Sequence, residues 1–122
     1  MRLPREIIFV YGTLRTGGSN HHRMAGATPH GAGTVRGRLY RIDWYPGILL
    51  GEAGYDVRGE AFAVDAATLA ALDAFEGTEY RRVRTTVSRD NGAPIEAWIW
   101  EYHMPVTGLR EIPSGDWLEE EP

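Results

Sequence analysis

The chain has 122 residues, which suits one domain, and its 43% hydrophobic and 25% charged residues are typical of a globular protein. The absence of cysteine excludes disulfides, thiolate metal sites and cysteine nucleophiles, and the net charge of −4 argues against a nucleic-acid partner. The longest apolar run, residues 7–10, is far shorter than a membrane span, and no apolar signal region is evident. We therefore expect one cytoplasmic domain over residues 1–122, without a membrane partner.

The hydrophobic pattern of the first half predicts short strands separated by glycine-rich segments. Gly31 and Gly33 are expected to break the chain before an alternating strand with one wet face. In chain order we predict a buried strand over 7–11, a loop over 12–20, a short helix capped by Ser19 or Asn20 and ending at Met24, a strand over 34–42, a turn at Tyr45-Pro46-Gly47, and strands over 48–50 and 57–64.

The second half contains the one long helix that the sequence predicts. Asp65 is a favoured N-cap, residues 66–75 are good helix formers, and Gly77 is a natural stop. After it we predict a hairpin of strands 80–88 and 97–102 around Asp90-Asn91-Gly92, then a tail in which Trp117 packs onto the body and Glu119, Glu120 and Glu121 are solvated. Several short strands with one main helix and short flanking helices predict an α+β fold, as a small mixed β-barrel or a strongly curled sheet.

The end of the predicted helix carries the strongest chemical signal. A helix turns by roughly 100° per residue, so Leu69, Leu72 and Glu76 share one face. If the leucines face the core, Glu76 points inward with them. Burial and the negative end of the helix dipole both disfavour its anion, and the resulting raised pKa suits general acid/base catalysis. Asp65, at the helix start, is instead stabilised as an anion and is interpreted as structural.

Other interpretations of this carboxylate stay open from periodicity alone. The last turn of a helix frays, so Glu76 can turn out to water or pair with Arg81 or Arg82. Glu79 lies beyond Gly77 and is the second candidate for a base, because predicted helix ends are uncertain by a few residues.

The first strand runs into Tyr11-Gly12-Thr13-Leu14, a segment that can bind an anion. Backbone N–H groups at such a strand end form an anion cradle, and Gly12 lets a ligand approach the backbone closely. The hydroxyls of Tyr11 and Thr13 add possible donors. The segment is neither a P-loop nor a dinucleotide fingerprint, because the lysine of the first and the glycine spacing of the second are missing.

Five segments in order carry a family resemblance. They are Val10-Tyr11-Gly12-Thr13-Leu14-Arg15, Gly18-Ser19-Asn20-His21, Tyr45-Pro46-Gly47, Val57-Arg58-Gly59-Glu60-Ala61-Phe62-Ala63-Val64, and Leu72-Asp73-Ala74-Phe75-Glu76-Gly77 followed by Tyr80-Arg81-Arg82. As an ordered set they resemble the motifs of the gamma-glutamylcyclotransferase-like family, and the second segment resembles the gamma-glutamylamine cyclotransferase branch.

The resemblance implies a small β-barrel flanked by helices, with Glu76 as the catalytic glutamate and Tyr11, Gly12, Thr13 and Leu14 as the carboxylate-binding loop. It also implies cyclisation of a γ-glutamyl group to 5-oxoproline, with no metal, nucleotide or other cofactor. Tyr45 and Pro46 are candidates for a pocket wall, although Tyr45 fits a plain turn equally well. Tyr102 is a candidate to reach the pocket with its hydroxyl.

Other notable residues have plainer explanations. His21 and His22 are adjacent, which is poor spacing for metal ligands and favours a loop or capping role. Successive side chains of a strand point to opposite faces, so Arg82 and Arg84 share one face and Arg81 lies on the other. We therefore interpret these arginines as part of a solvated strand face and not as a nucleic-acid patch. The aromatic side chains of the return strand are interpreted as core or barrel wall: Trp98, Trp100 and Tyr102.

Three functional hypotheses follow from the sequence. The first is an enzyme that cyclises a small γ-glutamyl substrate, the second a non-catalytic binding module for a small carboxylate metabolite, and the third an interaction domain using the Trp-rich strand. We expect residues 25–33 and 51–56 to select the leaving amine. No motif determines the oligomeric state, and a monomer is the favoured expectation.

Overall fold

The computed structural model describes residues 5–120. Seven strands and two α-helices form it, with 3₁₀ turns at His21–Met24 and Gly77–Glu79. The strands are β1 Glu6–Val10, β2 Thr28–Arg41, β3 Pro46–Leu50, β4 Tyr55–Val64, β5 Tyr80–Arg89, β6 Ile95–Tyr102 and β7 Arg110–Glu111; the helices are α1 Ala66–Glu76 and α2 Trp117–Glu120.

The strands close into a five-stranded barrel, as the sequence predicts. The order around it is β2-β4-β1-β6-β5, and a short β2–β5 pairing at Gly33 and Thr34 joins the two ends. The β1–β6 pair is parallel and the other pairs are antiparallel, so the barrel is mixed. Strands β3 and β7 pair with the far end of β2, outside the closed ring. The predicted α+β barrel with one main helix is confirmed.

Strand β1 is buried on both faces because it separates two apolar clusters. Alternate side chains point to opposite faces of a strand, so Phe9 enters one cluster while Ile8 and Val10 enter the other. The first cluster fills the barrel and includes Phe9, Leu39, Ile48, Val57, Ile99, Ile112 and Trp117. The second lies beneath α1 and includes Ile8, Val10, Leu14, Phe62, Leu69, Leu72 and Trp100.

Helix α1 begins and ends as predicted. The Asp65 side chain accepts a hydrogen bond of 2.8 Å from the Thr68 N–H, which satisfies one free donor of the first turn. Gly77 terminates the helix at φ +73°, a conformation that glycine adopts without a Cβ clash. Leu69 and Leu72 are its buried side chains, so their shared face is the one packed on the barrel.

Two predicted boundaries in the first half are wrong. Gly31 and Gly33 do not break the chain; they lie inside β2, which starts six residues earlier than predicted and pairs with β4 through both glycines, with a register shift between Pro29 and Gly31. A Cβ on Gly33 would lie 2.4 Å from the Ser88 carbonyl oxygen, so glycine permits the closing contact with β5. Pro46 and Gly47 belong to β3 rather than to a turn, because they pair with Arg41 and Tyr40 at the sheet edge.

The short segments differ from the sequence expectation in detail. The segment ending at Met24 is a 3₁₀ turn, and Asn20 precedes it without a side-chain cap, because its Oδ1 accepts from Arg23 Nε at 3.2 Å instead of from a backbone N–H. Trp117 is fully buried, which confirms the predicted packing of the tail. Glu120 is not simply solvated, since it pairs with Arg110 at 2.8 Å, and Glu121 lies outside the described residues. Within residues 5–120, no helix has the length and apolar composition needed to cross a membrane.

Candidate active site

A cavity of about 200 Å³ opens where β1 leaves the barrel. Four parts of the chain meet there: the end of β1 with the loop after it, the entry to β3, the end of α1 with the 3₁₀ turn and the start of β5, and the second half of β6. The lining residues are Phe9, Val10, Tyr11, Gly12, Thr13, Leu14, Trp44, Tyr45, Pro46, Phe75, Glu76, Glu79, Tyr80 and Trp100.

Glu76 is the last residue of α1 and lines this cavity. Burial raises the pKa of its carboxyl from the usual 4.5 to about 7, and the negative charge of Asp73 one turn earlier adds to the increase. Among residues 5–120, no donor hydrogen-bonds to the Glu76 carboxyl. The alternative ion pairs do not form, because Arg82 pairs with Asp73 at 3.0 Å and Arg81 lies 3.6 Å from Glu101. The carboxyl is therefore partly desolvated and available to a ligand.

The loop after β1 presents backbone donors to the same cavity. Its turn is held by hydrogen bonds from Arg15 N–H to Gly12 C=O at 3.1 Å and from Asn20 N–H to Thr13 C=O at 2.9 Å. Within the described part of the chain, the N–H groups of Gly12, Thr13 and Leu14 donate to no protein acceptor. Such unpaired N–H groups are donors for an anion.

Glycine is needed at position 12 for packing. A Cβ there would lie 2.7 Å from Cγ of Pro46, so the loop can rest on the start of β3 only if residue 12 has no side chain. This contact brings the loop and the Tyr45-Pro46 segment together as two adjacent walls of the cavity.

Tyr11 lines the cavity, but its hydroxyl is committed to the fold. It donates to the Trp100 carbonyl at 2.7 Å and accepts from the Ile48 N–H at 3.2 Å, which links β1, β6 and β3. Burial raises the pKa of this hydroxyl well above its ordinary value. The expectation that Tyr11 offers a free hydroxyl donor is therefore wrong, because the only hydroxyl proton is already used. Its backbone and ring form part of the wall.

Tyr45 is a wall residue anchored by the second candidate base. Its hydroxyl donates to Glu79 Oε1 at 2.8 Å, and this hydrogen bond is the main reason that the pKa of Tyr45 rises to about 12. Glu79 also lines the cavity, and its backbone carbonyl accepts from His103 N–H at 2.7 Å. Of the two glutamates, Glu79 is engaged in holding Tyr45, whereas the carboxyl of Glu76 has no such partner.

Tyr102 does not line the cavity. It is buried with its ring centroid 5.5 Å from that of Tyr80, which does line it, so Tyr102 packs behind the wall. Residues 25–33 and 51–56 are also absent from the lining, because most of the first segment is part of β2 and the second connects β3 to β4. The selection of a leaving amine by these two segments is not supported by this geometry.

Five aromatic lining residues were not predicted as site residues: Phe9, Trp44, Phe75, Tyr80 and Trp100. Period two already placed Trp100 on a core or wall face, and Phe75 directly precedes Glu76, so both had a signal in the sequence. Trp44 had none, since a residue before a turn shows no periodicity. It is 55% exposed and packs edge-on against Tyr45 at 5.0 Å between ring centroids, which places it at the cavity rim.

The histidine and arginine interpretations agree with the structure. His21 Nδ1 lies 2.9 Å from the Leu14 carbonyl oxygen, which fits the expected loop role. Arg82 and Arg84 both stack on Trp98, at 4.4 and 4.9 Å from its ring centroid. Arg82 and Arg84 thus cover an aromatic side chain on one face of β5.

Comparison with known proteins identifies the family. Residues 8–119 match the family described as "Gamma-glutamyl cyclotransferase, AIG2-like". The chain is 41% identical to the gamma-glutamylcyclotransferase family protein YtfP of Escherichia coli K12, over 92% of this chain and 96% of that one. It is 34% identical to the gamma-glutamylaminecyclotransferase of Bos taurus, over 76% and 63% of the two chains.

The solved structures agree with this assignment. An AIG2-like protein from Mus musculus superposes with a TM-score of 0.79 at 28% identity, covering 89% of this chain and 86% of that one. The resemblance inferred from the ordered motifs is thus confirmed across nearly the whole chain. The chain belongs to the gamma-glutamylcyclotransferase family, as a gamma-glutamylcyclotransferase-like enzyme.

Proposed function

We propose that this protein releases 5-oxoproline from a γ-glutamyl amine or γ-glutamyl amino acid by internal aminolysis. The α-nitrogen of the glutamyl group bonds to its own side-chain carbonyl carbon, and the bond from that carbon to the departing nitrogen breaks. The α-ammonium loses two protons as it becomes the lactam N–H, and both end on the departing nitrogen, which leaves as an ammonium group. The step is balanced without water, metal or nucleotide.

The observation that carries the proposal is the placement of Glu76 in the cavity with a pKa of about 7. A group with a pKa near the working pH both accepts and returns a proton, and such a group typically contributes about 10²–10⁴-fold to a rate. Glu76 would take a proton from the α-ammonium and deliver it to the departing nitrogen, which is a poor leaving group without it.

The loop after β1 supplies the other half of the proposed site. The N–H groups of Gly12, Thr13 and Leu14 would bind the substrate α-carboxylate and so hold the amine close to Glu76. Fixing an amine and a carbonyl in attack geometry can reach effective molarities of roughly 10⁵–10⁸ M, so a small cavity with one proton carrier suffices for this reaction. The aromatic wall of Trp44, Tyr45 and Phe75 would face the departing amine.

The test is release of 5-oxoproline from a panel of γ-glutamyl amines, γ-glutamyl amino acids and γ-glutamyl-lysine. Glu76→Gln should abolish release while retaining ligand affinity measured by calorimetry. Glu79→Gln is the matched control: it should keep turnover, because the glutamine amide oxygen still accepts the hydrogen bond from the Tyr45 hydroxyl. Turnover retained in Glu76→Gln and lost in Glu79→Gln would reverse the assignment of the base.

The alternative is a non-catalytic binding module for a small carboxylate metabolite. It uses the same unpaired loop N–H groups and treats Glu76 as a ligand contact. Binding of glutamyl-like acids without 5-oxoproline release from any panel member would favour it over the enzyme. A cytoplasmic location and a monomeric state remain predictions, to be tested by cell fractionation and by light scattering of the purified chain.

A further inference from the structure

One carboxylate beside the cavity contacts two other side chains through a single oxygen. Asp73 Oδ1 accepts from Trp100 Nε1–H at 2.9 Å and lies 3.0 Å from Arg82 Nε. Asp73 is on α1, three residues before Glu76, while Trp100 is on β6 and Arg82 on β5. This contact therefore ties the catalytic end of the helix to the two strands beneath it.

The contact also determines part of the cavity wall. Trp100 is 3% exposed and lines the cavity, and its indole N–H has Asp73 as its partner. A buried indole N–H without an acceptor is costly, so loss of Asp73 favours reorientation of the ring. Arg82 is held in turn by stacking on Trp98, with its guanidinium 4.4 Å from the ring centroid.

We propose that Asp73 is a positioning residue for Glu76: through Oδ1 it holds the Trp100 wall, and with Arg82 it forms the charge pair next to the Glu76 carboxyl. The inference rests on the proposed role of Glu76 and assigns Asp73 and Arg82 a part in it. Neither Asp73 nor Arg82 is itself a lining residue of the cavity.

The charges around Glu76 give the pair a clear electrostatic effect. Asp73 raises the pKa of Glu76 in addition to the effect of burial, and Arg82 partly neutralises Asp73. The other titratable groups lining the cavity are Tyr11, Tyr45, Tyr80 and Glu79. The pKa values of the three tyrosines are raised, so these side chains are neutral near pH 7, and the Glu79 carboxylate is hydrogen-bonded to Tyr45. Removal of the Asp73 charge and removal of the Arg82 charge should therefore shift the pKa of Glu76 in opposite directions.

The test is carbon-13 NMR titration of the Glu76 carboxyl in three variants. Asp73→Asn should lower the pKa of Glu76 by about half a unit, because a negative charge is removed at a partly exposed site. Arg82→Gln should raise it by a smaller amount, because the positive charge that offsets Asp73 is removed. Arg84→Gln is the matched control, since Arg84 also stacks on Trp98 but is not among the partners of Asp73; it should leave the pKa unchanged. Shifts of one sign in both test variants, or no shift, would refute the charge-pair role.

The wall role is tested by comparing Asp73→Ala with Asp73→Asn. Asparagine keeps an oxygen acceptor for the Trp100 indole N–H, so this N–H should stay protected from hydrogen exchange in the Asp73→Asn variant. The pH-independent kcat/KM of this variant should stay close to that of the parent. Alanine removes the acceptor, so the resonance should lose protection and kcat/KM should fall roughly tenfold. Equal behaviour of the two variants would contradict this role.

The NMR readouts do not depend on turnover. If the opposite pKa shifts and the loss of indole protection occur but no panel member yields 5-oxoproline, the proposed reaction fails while the positioning role stands. If turnover occurs with Glu76 required but the shifts are absent, the reaction stands and the inference about Asp73 fails.

Discussion

Two carboxylates at opposite ends of α1 are placed in opposite electrostatic environments. Asp65 accepts the Thr68 N–H at the helix start, and this hydrogen bond holds the pKa of Asp65 below its usual value. Glu76, at the other end, faces the negative pole of the helix dipole, and burial raises its pKa to about 7. At the residue scale, position in one helix thus separates a structural anion from a carboxyl that exchanges a proton near neutral pH.

The pH dependence of turnover follows from the proton count of the proposed reaction. In the productive complex Glu76 is ionised and the substrate amine is protonated, because the amine must lose a proton that the carboxylate receives. We expect kcat/KM to rise with pH through about 7, as Glu76 ionises, and to fall above the pKa of the amine, roughly 8. Initial rates of 5-oxoproline release across pH 5–10 measure this profile, and a flat profile between about 6 and 8 would contradict it.

The raised pKa also predicts a pH-dependent contribution to stability. Between about pH 4.5 and 7 the folded state keeps a proton on Glu76 that the unfolded chain releases, so this contribution is complete below 4.5 and is lost as the pH rises to about 7. The free energy of unfolding of the parent relative to Glu76→Gln should therefore fall by roughly 2 kcal/mol across this window, given partial exposure. Urea unfolding at several pH values measures it; a difference that rises with pH would show that Glu76 is stabilised as an anion.

Helix α1 is the element that the sequence predicts best, because its signals are local. The cap at Asp65, the stop at Gly77 and the shared face of Leu69 and Leu72 each depend only on neighbours within one or two turns. By contrast, β2 and β3 were bounded wrongly. Gly33 lies against Ser88, far along the chain, and Pro46 pairs with Arg41 across the sheet edge, which a turn signal does not predict. Local pattern therefore finds the helix and the catalytic candidate, whereas strand boundaries depend on the closed barrel.

The N-cap provides a prediction at the scale of this element. Asp65→Ala should lower the free energy of unfolding, because the Thr68 N–H loses its acceptor. Its effect on turnover per folded molecule should be small, since Asp65 is eleven residues from Glu76 on the far end of the helix. Denaturant unfolding and kcat give the two numbers. A large loss of kcat in fully folded Asp65→Ala would mean that the helix start takes part in the site.

The whole molecule depends on β2, which pairs with four other strands and supplies the closure of the barrel. The lining of the cavity comes from residues 9–14, 44–46, 75–80 and 100, so no single segment forms the site. Of the residues that the sequence predicts for the site, the loop after β1 and Glu76 line the cavity and Tyr102 does not, while the lining residue Trp44 was not predicted. The positions of Tyr102 and Trp44 relative to the cavity depend on how the strands of the barrel are arranged in space. The local sequence around each residue does not encode that arrangement.

Barrel closure is testable at the narrow β2–β5 contact. Gly33→Ala places a methyl group 2.4 Å from the Ser88 carbonyl oxygen, so we expect a loss of about 1–3 kcal/mol in the free energy of unfolding. Gly51→Ala is the control, because a Cβ there has no heavy atom within 4 Å. Thermal or urea unfolding compares the two. Equal stabilities would show that the β2–β5 edge moves apart at little cost.

The three unpaired N–H groups after β1 have a consequence for observing the site. They follow Tyr11 at the end of β1, which pairs with β4 along its whole length, so in the empty protein their amide hydrogens should exchange with solvent far faster than those of Ile8 and Phe9. An anion bound in the cradle would slow the exchange at Gly12, Thr13 and Leu14 alone. Hydrogen exchange at these three amides therefore reports whether an anion occupies the cradle. The measurement detects the binding of any acid and requires no turnover, label or product assay.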